Sequence, residues 1–458
     1  MSATDIELDR YPTRSDVQEP ASPATRASSA PTSTASTQQD DQPPANKEAF
    51  ESYPEDAWVS VVLPCFVIFS TSVGGVYSYG VFQDALVATG LAPSSTLAWV
   101  GSTLGCIQGI AAIPILRFVA AYGPRTMALI GTAFLSLAML LASFCTHTVG
   151  GLVVTQGLMF GIGEAILFLS AAHLPSAYFL RRRNIATGIT YAGGGVGGAI
   201  FSIVTAQLLK RVSLPWTYRI LALIFLVLNL PCALSLKTRA PRVPLRGGAG
   251  KKTFDVSLFK DVRFILLAVG TSIAIFPLFV PPFFLPLYGT SLGLSASTGS
   301  FILAGFNLAS AAGRIGFGVF ADSLLGTLNS FVLCLALVGV STLLIWPLAT
   351  SLAPLIVFAV INGFCAGGMF SLAPGVVSSV FGTVRLGVAF AMMTSFWTPG
   401  YILGSPIAGF LLQAMGGPEK GFGAYRPAIF YSGALSLCAA LVVSVVRLKQ
   451  ERRVFRKV

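Results

Sequence analysis

The sequence predicts an all-α integral membrane protein with twelve transmembrane helices in two six-helix halves. Three observations carry this reading. The 458 residues are 54% hydrophobic and 10% charged, where soluble domains carry about 25% charged residues, and mean hydropathy is +0.76. From Trp58 onward, twelve apolar runs follow one another, each close to the ~20 residues a helix needs to cross a bilayer. A basic loop at the midpoint divides them six and six, and the halves repeat a pattern at a fixed offset.

Residues 1–56 hold 4 Lys/Arg and 11 Asp/Glu, within stretches such as PASPATRASSAPTSTASTQQ. With no apolar periodicity they cannot bury enough surface to offset ordering entropy, so a disordered tail is expected. An acidic start with no apolar h-region excludes a signal peptide. The spans are expected near 58–83, 95–116, 124–145, 149–172, 184–209, 216–236, 263–288, 297–320, 328–348, 353–378, 384–412 and 427–447. The N-terminal half is then 57–236, the central loop 237–262 and the C-terminal half 263–447. A basic tail, 448–458, completes the chain. With the N-terminus placed in the cytoplasm, 20 loop Lys/Arg beyond the tail fall on the cytoplasmic side and 5 on the other. The positive-inside bias therefore predicts that both termini are cytoplasmic.

This charge lies in short loops between apolar runs, which excludes a nucleic-acid partner; the expected partners are the lipid bilayer and a small organic substrate. Seven cysteines fall inside apolar runs without close spacing and read as packing residues, not a disulfide framework or metal cluster. Two histidines make a His-based zinc site untenable. No cofactor is expected. Walker A, nucleophile-elbow and HExxH patterns are absent from the sequence, so it reads as no enzyme, and uphill transport would draw on an ion or substrate gradient.

Gly161–Phe179 (GIGEAILFLSAAHLPSAYF) and Gly363–Phe381 (GFCAGGMFSLAPGVVSSVF) share Gly, Phe, Ala and the terminal Phe at an offset of 202. Parallel six-span repeats with a midplane site between them form the major facilitator pattern. A charge within a span costs roughly 2.5–3.5 kcal/mol on insertion scales, so Arg314 and Glu164 call for a reason. Arg314 keeps its charge and presents a fork suited to a carboxylate. It reads either as a substrate-binding group or as a gate brace paired with Asp322, at the cytoplasmic end of span eight. Glu164 reads as a proton carrier, as a partner of Arg314, or as a satisfied structural residue. The AGGGVGGA run, 192–199, suits close helix packing against a moving neighbour. Span seven carries Pro277, Pro281, Pro282 and Pro286, which must interrupt its helix. Broken helix at membrane depth is tolerated where it lines a cavity, which makes Phe283 and Tyr288 candidate lining groups.

Residues 156–202, QGLMFGIGEAILFLSAAHLPSAYFLRRRNIATGITYAGGGVGGAIFS, resemble the span four to five signature of the monocarboxylate transporter family, fungal branch. Asn307 to Asp322, NLASAAGRIGFGVFAD, resembles that branch's N-x-x-S-x-x-G-R-x-x-x-G-x-x-A-D. The resemblance covers about residues 54–447. It implies the major facilitator fold, a plasma-membrane location and movement of small organic anions, usually with a proton. Fungal relatives include riboflavin importers and exporters of secondary metabolites. Tyr77 stands where vertebrate members have a span-one lysine, and Ser310 where they have an Asp, so Arg314 is what remains of that charged set. The expected function is secondary active transport of a small organic anion by alternating access, with proton coupling through Glu164. Substrate contacts are expected from Arg314, Tyr77, Asn307, Asn362, Trp397, Phe283 and Tyr288. One alternative is a facilitator or exporter of riboflavin-like or secondary metabolites with Arg314 as a brace. Another, of a different class, is a membrane nutrient receptor.

Overall fold

A computed structural model describes residues 58–92, 94–179, 182–236, 255–417 and 420–451. The tail 1–56, Arg181, most of the central loop and the end of the basic tail lie outside the described residues. Every span is helical. Ten helices are long and apolar enough to cross a membrane, and an eleventh span is a bent pair. One of the ten, Leu352–Ala414, has 63 residues, about 95 Å at 1.5 Å per residue against a hydrocarbon core of about 30 Å. It turns at Gly382, where φ is 77° and ψ is 164°, a conformation that glycine adopts at no steric cost. Divided there, the chain has the twelve spans the sequence predicts.

In chain order these are α1 (Trp58–Gln83), α2 (Trp99–Ile110 with Ala112–Tyr122), α3 (Pro124–Ala142), α4 (Val149–Tyr178), α5 (Arg183–Arg211) and α6 (Leu214–Ser235). The second half comprises α7 (Val262–Ser291), α8 (Phe301–Leu325), α9 (Thr327–Leu348), α10 (352–381), α11 (383–414) and α12 (Phe422–Gln450). Asp261 caps α7: its carboxylate accepts from the Arg263 backbone N–H and side chain. Mainly the Arg263 side chain holds that carboxyl below the usual range. Leu223, Val227, Leu344 and Leu441 are exposed apolar side chains, as a lipid-facing surface requires.

Several spans are interrupted part-way: α4 breaks at Ala172 and His173, and four others break for local reasons. In α1, Ser78 Oγ donates to Gly75 O at 2.8 Å, and the helix stops at Tyr77 and restarts at Tyr79. In α2, Pro114 has no N–H for the carbonyl of Ile110, and the two pieces meet at Ala111 with a 57° bend. Pro281 and Pro282 open the second piece of α7 after a break at Phe279. In α11 the break falls at Phe396 and Trp397, just before Pro399.

The glycine-rich α5 joins the halves. A Cβ at Gly193 or Gly197 would strike the α1 backbone at Phe66 O or Ser70 O. On its other side, one at Gly188 would strike Arg314 O of α8, and one at Gly195 would meet Ala311 Cβ at 3.0 Å. The C-terminal half repeats this device, with Gly363 and Gly367 of α10 against Phe306 O and Ser310 O of α8. These are backbone-to-backbone approaches that only small residues permit.

Candidate functional site: a cavity at the helix breaks

A narrow cavity with about 60 Å³ of free space lies between the halves. Its wall draws on the four spans with local breaks and on α4. Tyr77 of α1 and Phe279 of α7 sit at their breaks, Gly105 and Gln108 lie within two turns of the α2 break, and Tyr401 follows the α11 break by one turn. Glu164 and Phe168 come from α4, and uninterrupted spans add Tyr191 from α5, Arg314 from α8 and Phe370 from α10.

Aromatic residues supply half of the lining and brace one another. Phe69 packs on Tyr191 and Phe168 with centroids at 4.5 and 5.3 Å, and Phe279 on Tyr401 at 5.9 Å. Two wall pairs obey the internal repeat, Tyr77 with Phe279 and Phe168 with Phe370, each separated by 202 positions.

Arg314 is 3% exposed and spans the gap between halves. Its Nη1 donates to the Tyr191 carbonyl and its Nη2 to the Tyr77 hydroxyl at 3.2 Å, both groups of the N-terminal half. The guanidinium also lies 5.7 Å from the Phe370 centroid and 6.0 Å from that of Tyr77, within cation–π range. Nε has no partner. Glu164, also 3% exposed, lines the same cavity. No ion pair joins Arg314 to Glu164 or Asp322 among the described residues.

Asp322 sits elsewhere, in a contact between the halves at the end of the bundle where α5 begins and α8 ends. Its carboxylate accepts from Asn184 Nδ2 at 2.7 Å and from the Ile185 backbone N–H at 2.9 Å, at the positive end of the α5 dipole. Asn184 Nδ2 also donates to Thr327 Oγ1 at 2.9 Å, and Arg183 Nη1 to Ser378 Oγ at 2.9 Å. The pairing expected between Asp322 and Arg314 is replaced by these contacts with the start of α5.

Of the other expected site residues, Tyr77, Glu164 and Arg314 come together and five do not line the cavity. Asn362 Nδ2 donates to Val338 O, Ser341 Oγ and Thr342 Oγ1 between α9 and α10. Tyr288 donates to Ala349 O at 3.2 Å in a ring cluster with Trp346 and Tyr425. Phe283 is 58% exposed and stacks on Phe279, the ring that does face the cavity one turn earlier. Asn307 is half-buried, with its backbone against Gly195. Trp397 is buried behind the wall, 6.4 Å from Phe370.

Sequence reasoning missed Gln108, Tyr191 and Tyr401, which lie in apolar runs with no local mark. Phe168 and Phe370 did carry a signal, since they are the matched Phe of the two repeat segments.

The Major Facilitator Superfamily model matches residues 62–326 and 267–457. The chain is 30% identical over 390 residues to the MFS transporter asaE of Aspergillus flavus, covering 84% of this chain and 87% of that one. It is 31% identical to the fujikurins efflux protein of Gibberella fujikuroi, covering 78% and 76%. It is 29% identical to the agnestins efflux protein AgnL12 of Paecilomyces divaricatus, covering 85% and 87%. These relatives do not single out monocarboxylate porters. Among solved structures, the human organic anion transporter MFSD10 aligns with a TM-score of 0.63 at 15% identity, covering 85% of this chain and 100% of that one. The E. coli fucose:proton symporter FucP aligns at 0.62 and 15%, covering 84% and 97%.

Proposed function

The chain belongs to the Major Facilitator Superfamily, and we infer that it exports a ring-bearing, amphipathic organic metabolite by alternating access. One observation carries this reading: Arg314 spends a donor of each terminal nitrogen on the opposite half, across a cavity half of whose lining residues are aromatic. A guanidinium so engaged keeps only its Nε edge for a carboxylate. It serves first as a brace that must be released and remade as the halves rock. Flat rings give a flat substrate body stacking partners. Relatives named for efflux of fujikurins and agnestins favour export of such compounds over uptake of lactate-like anions.

Glu164 would supply the coupling. A buried carboxylate is far easier to carry through an apolar site when protonated, so a proton bound there can accompany each reorientation. Gln108 and Tyr401 are polar groups that could orient substrate beside it. Both termini would be cytoplasmic, as the positive-inside bias implies, in the plasma membrane.

The test is transport by proteoliposomes under an imposed pH gradient, comparing riboflavin, coumarin-3-carboxylate and labelled lactate. The two ring compounds should move while lactate stays at background. Arg314→Ala should lower the maximal rate about tenfold, a barrier rise of ~1.4 kcal/mol, with little change in half-saturation. Glu164→Gln should leave transport running down a substrate gradient but insensitive to pH. Lactate movement that Arg314→Ala abolishes, with neither ring compound moving, would return Arg314 to carboxylate binding.

A further inference from the structure

A second opening lies beside the cavity, between α2 and α11. This groove has about 900 Å³ of open space including its mouth. Its floor is the contact of Gly109 with Thr398, where a Cβ on the glycine would meet Thr398 Cβ at 3.2 Å. Ile113 and Ile402 form its sides, and Ile110 and Leu403, 62% and 47% exposed, stand at its rim. The groove sits at the depth of the α2 break at Ala111 and the α11 break at Phe396. At that depth what surrounds an exposed apolar rim is hydrocarbon, not water.

Two features set it apart from an ordinary lipid-facing seam. Thr398 Oγ1 is shielded and unpartnered in a lining whose other hydroxyl, Ser395 Oγ, donates to Ala391 O, and such an unpaired group costs free energy until a partner reaches it. The groove also lies one helical turn from the cavity. One turn along α2 from Gly109 is Gly105, and one turn along α11 from Thr398 is Tyr401, and both face the cavity, with the Tyr401 ring 3.8 Å from a Cβ built on Gly105. A resident phospholipid would need neither that proximity nor a hydroxyl at the floor.

We propose that the groove between α2 and α11 is a lateral entry site that takes the apolar part of the exported amphiphile from the bilayer and passes it to the cavity. This rests on the export reading and adds the substrate's physical class: a compound that partitions into membrane, with a hydrogen-bonding group close to its apolar portion. Tyr401, in the cavity wall next to the groove residue Ile402, is the partition the molecule must pass.

The experiment is equilibrium photolabelling of the full chain in liposomes, so it is read without transport and can succeed or fail independently of the export assay. The probe is dodecanoic acid bearing a diazirine, compared with a phospholipid bearing the same group on one acyl chain. Labelled positions are mapped by mass spectrometry. The fatty-acid probe should label Ile113 and Ile402, and also Tyr401, and excess unlabelled dodecanoic acid should suppress this about tenfold, as for a site of finite affinity. Labelling of Leu223 and Val227, on the far lipid surface, should not be suppressed. Ile113→Trp and, independently, Leu403→Trp should close the groove and lower labelling of Tyr401 in protein that remains monodisperse. Labelling that does not saturate, equal labelling of the groove by the phospholipid, or unchanged labelling of Tyr401 in both variants would overturn the proposal.

Discussion

At the scale of single residues, the cavity separates aromatic groups that touch it from those that merely sit nearby. Phe279 and Phe283 are stacked neighbours one turn apart, yet one faces the cavity and the other is exposed. Phe279→Ala should weaken binding of a ring compound about tenfold, near the ~0.5–1.5 kcal/mol of an aromatic pair plus lost burial, whereas Phe283→Ala should leave it unchanged; equilibrium binding in detergent measures both. Asn362 behaves differently. Its amide serves three acceptors inside the C-terminal half, so Asn362→Ala should cost about 1–3 kcal/mol of stability by leaving buried groups unpaired. Thermal unfolding would register that cost with the half-saturation for substrate unchanged. The sequence marks Arg314 and Glu164 because a charge in a span is conspicuous. It does not mark Tyr191 or Tyr401, since a tyrosine in an apolar run looks the same whether its ring packs a core or walls a cavity.

At the scale of elements, the organising helix is α5. Its glycines bring the backbone against α1 on one side and α8 on the other, so it is a slab on which both neighbours can slide. Gly197→Leu should therefore abolish function by forcing α1 away, since even a Cβ at this position meets Ser70 backbone atoms. An outcome of normal transport and an unchanged melting temperature would show that the helices separate freely there. The glycine run was readable as a packing stripe, but which neighbours it touches was not, because composition carries no direction. The interruption of α7 was legible through its prolines. The one in α1 was not, because it falls at Ser78 with no proline to mark it, and the Ser78 bond back to Gly75 O is of a kind that unbroken helices also carry. The prolines also pointed to the wrong rings within α7, because the break re-aims the helix face by an amount that residue spacing alone does not give.

At the scale of the whole molecule, twelve spans and a midpoint division follow directly from hydropathy, and the internal repeat follows from the offset of 202. The contact joining the halves near the start of α5 did not, since Asn184 and Asp322 are remote in sequence and neither is unusual at a helix end. That contact gives a direct test of rocking. Arg183→Cys with Ser378→Cys, joined by a short cleavable bifunctional reagent, should stop transport, and reduction should restore it; full activity while cross-linked would mean the halves need not part there. The repeat has a stereochemical consequence as well. Tyr77 with Phe279, and Phe168 with Phe370, give the wall an approximate dyad, so a planar guest could lie in it either way round at nearly equal cost. The dyad is broken by charge, because the position matching Glu164 is Ala366 and the one matching Arg314 is Ala112. Regiochemistry would then be read by those two side chains together with Gln108 and Tyr401, whose matches are Ser310 and Ala199: wild type should distinguish isomeric hydroxycoumarins in competition binding, and Glu164→Ala should narrow the difference.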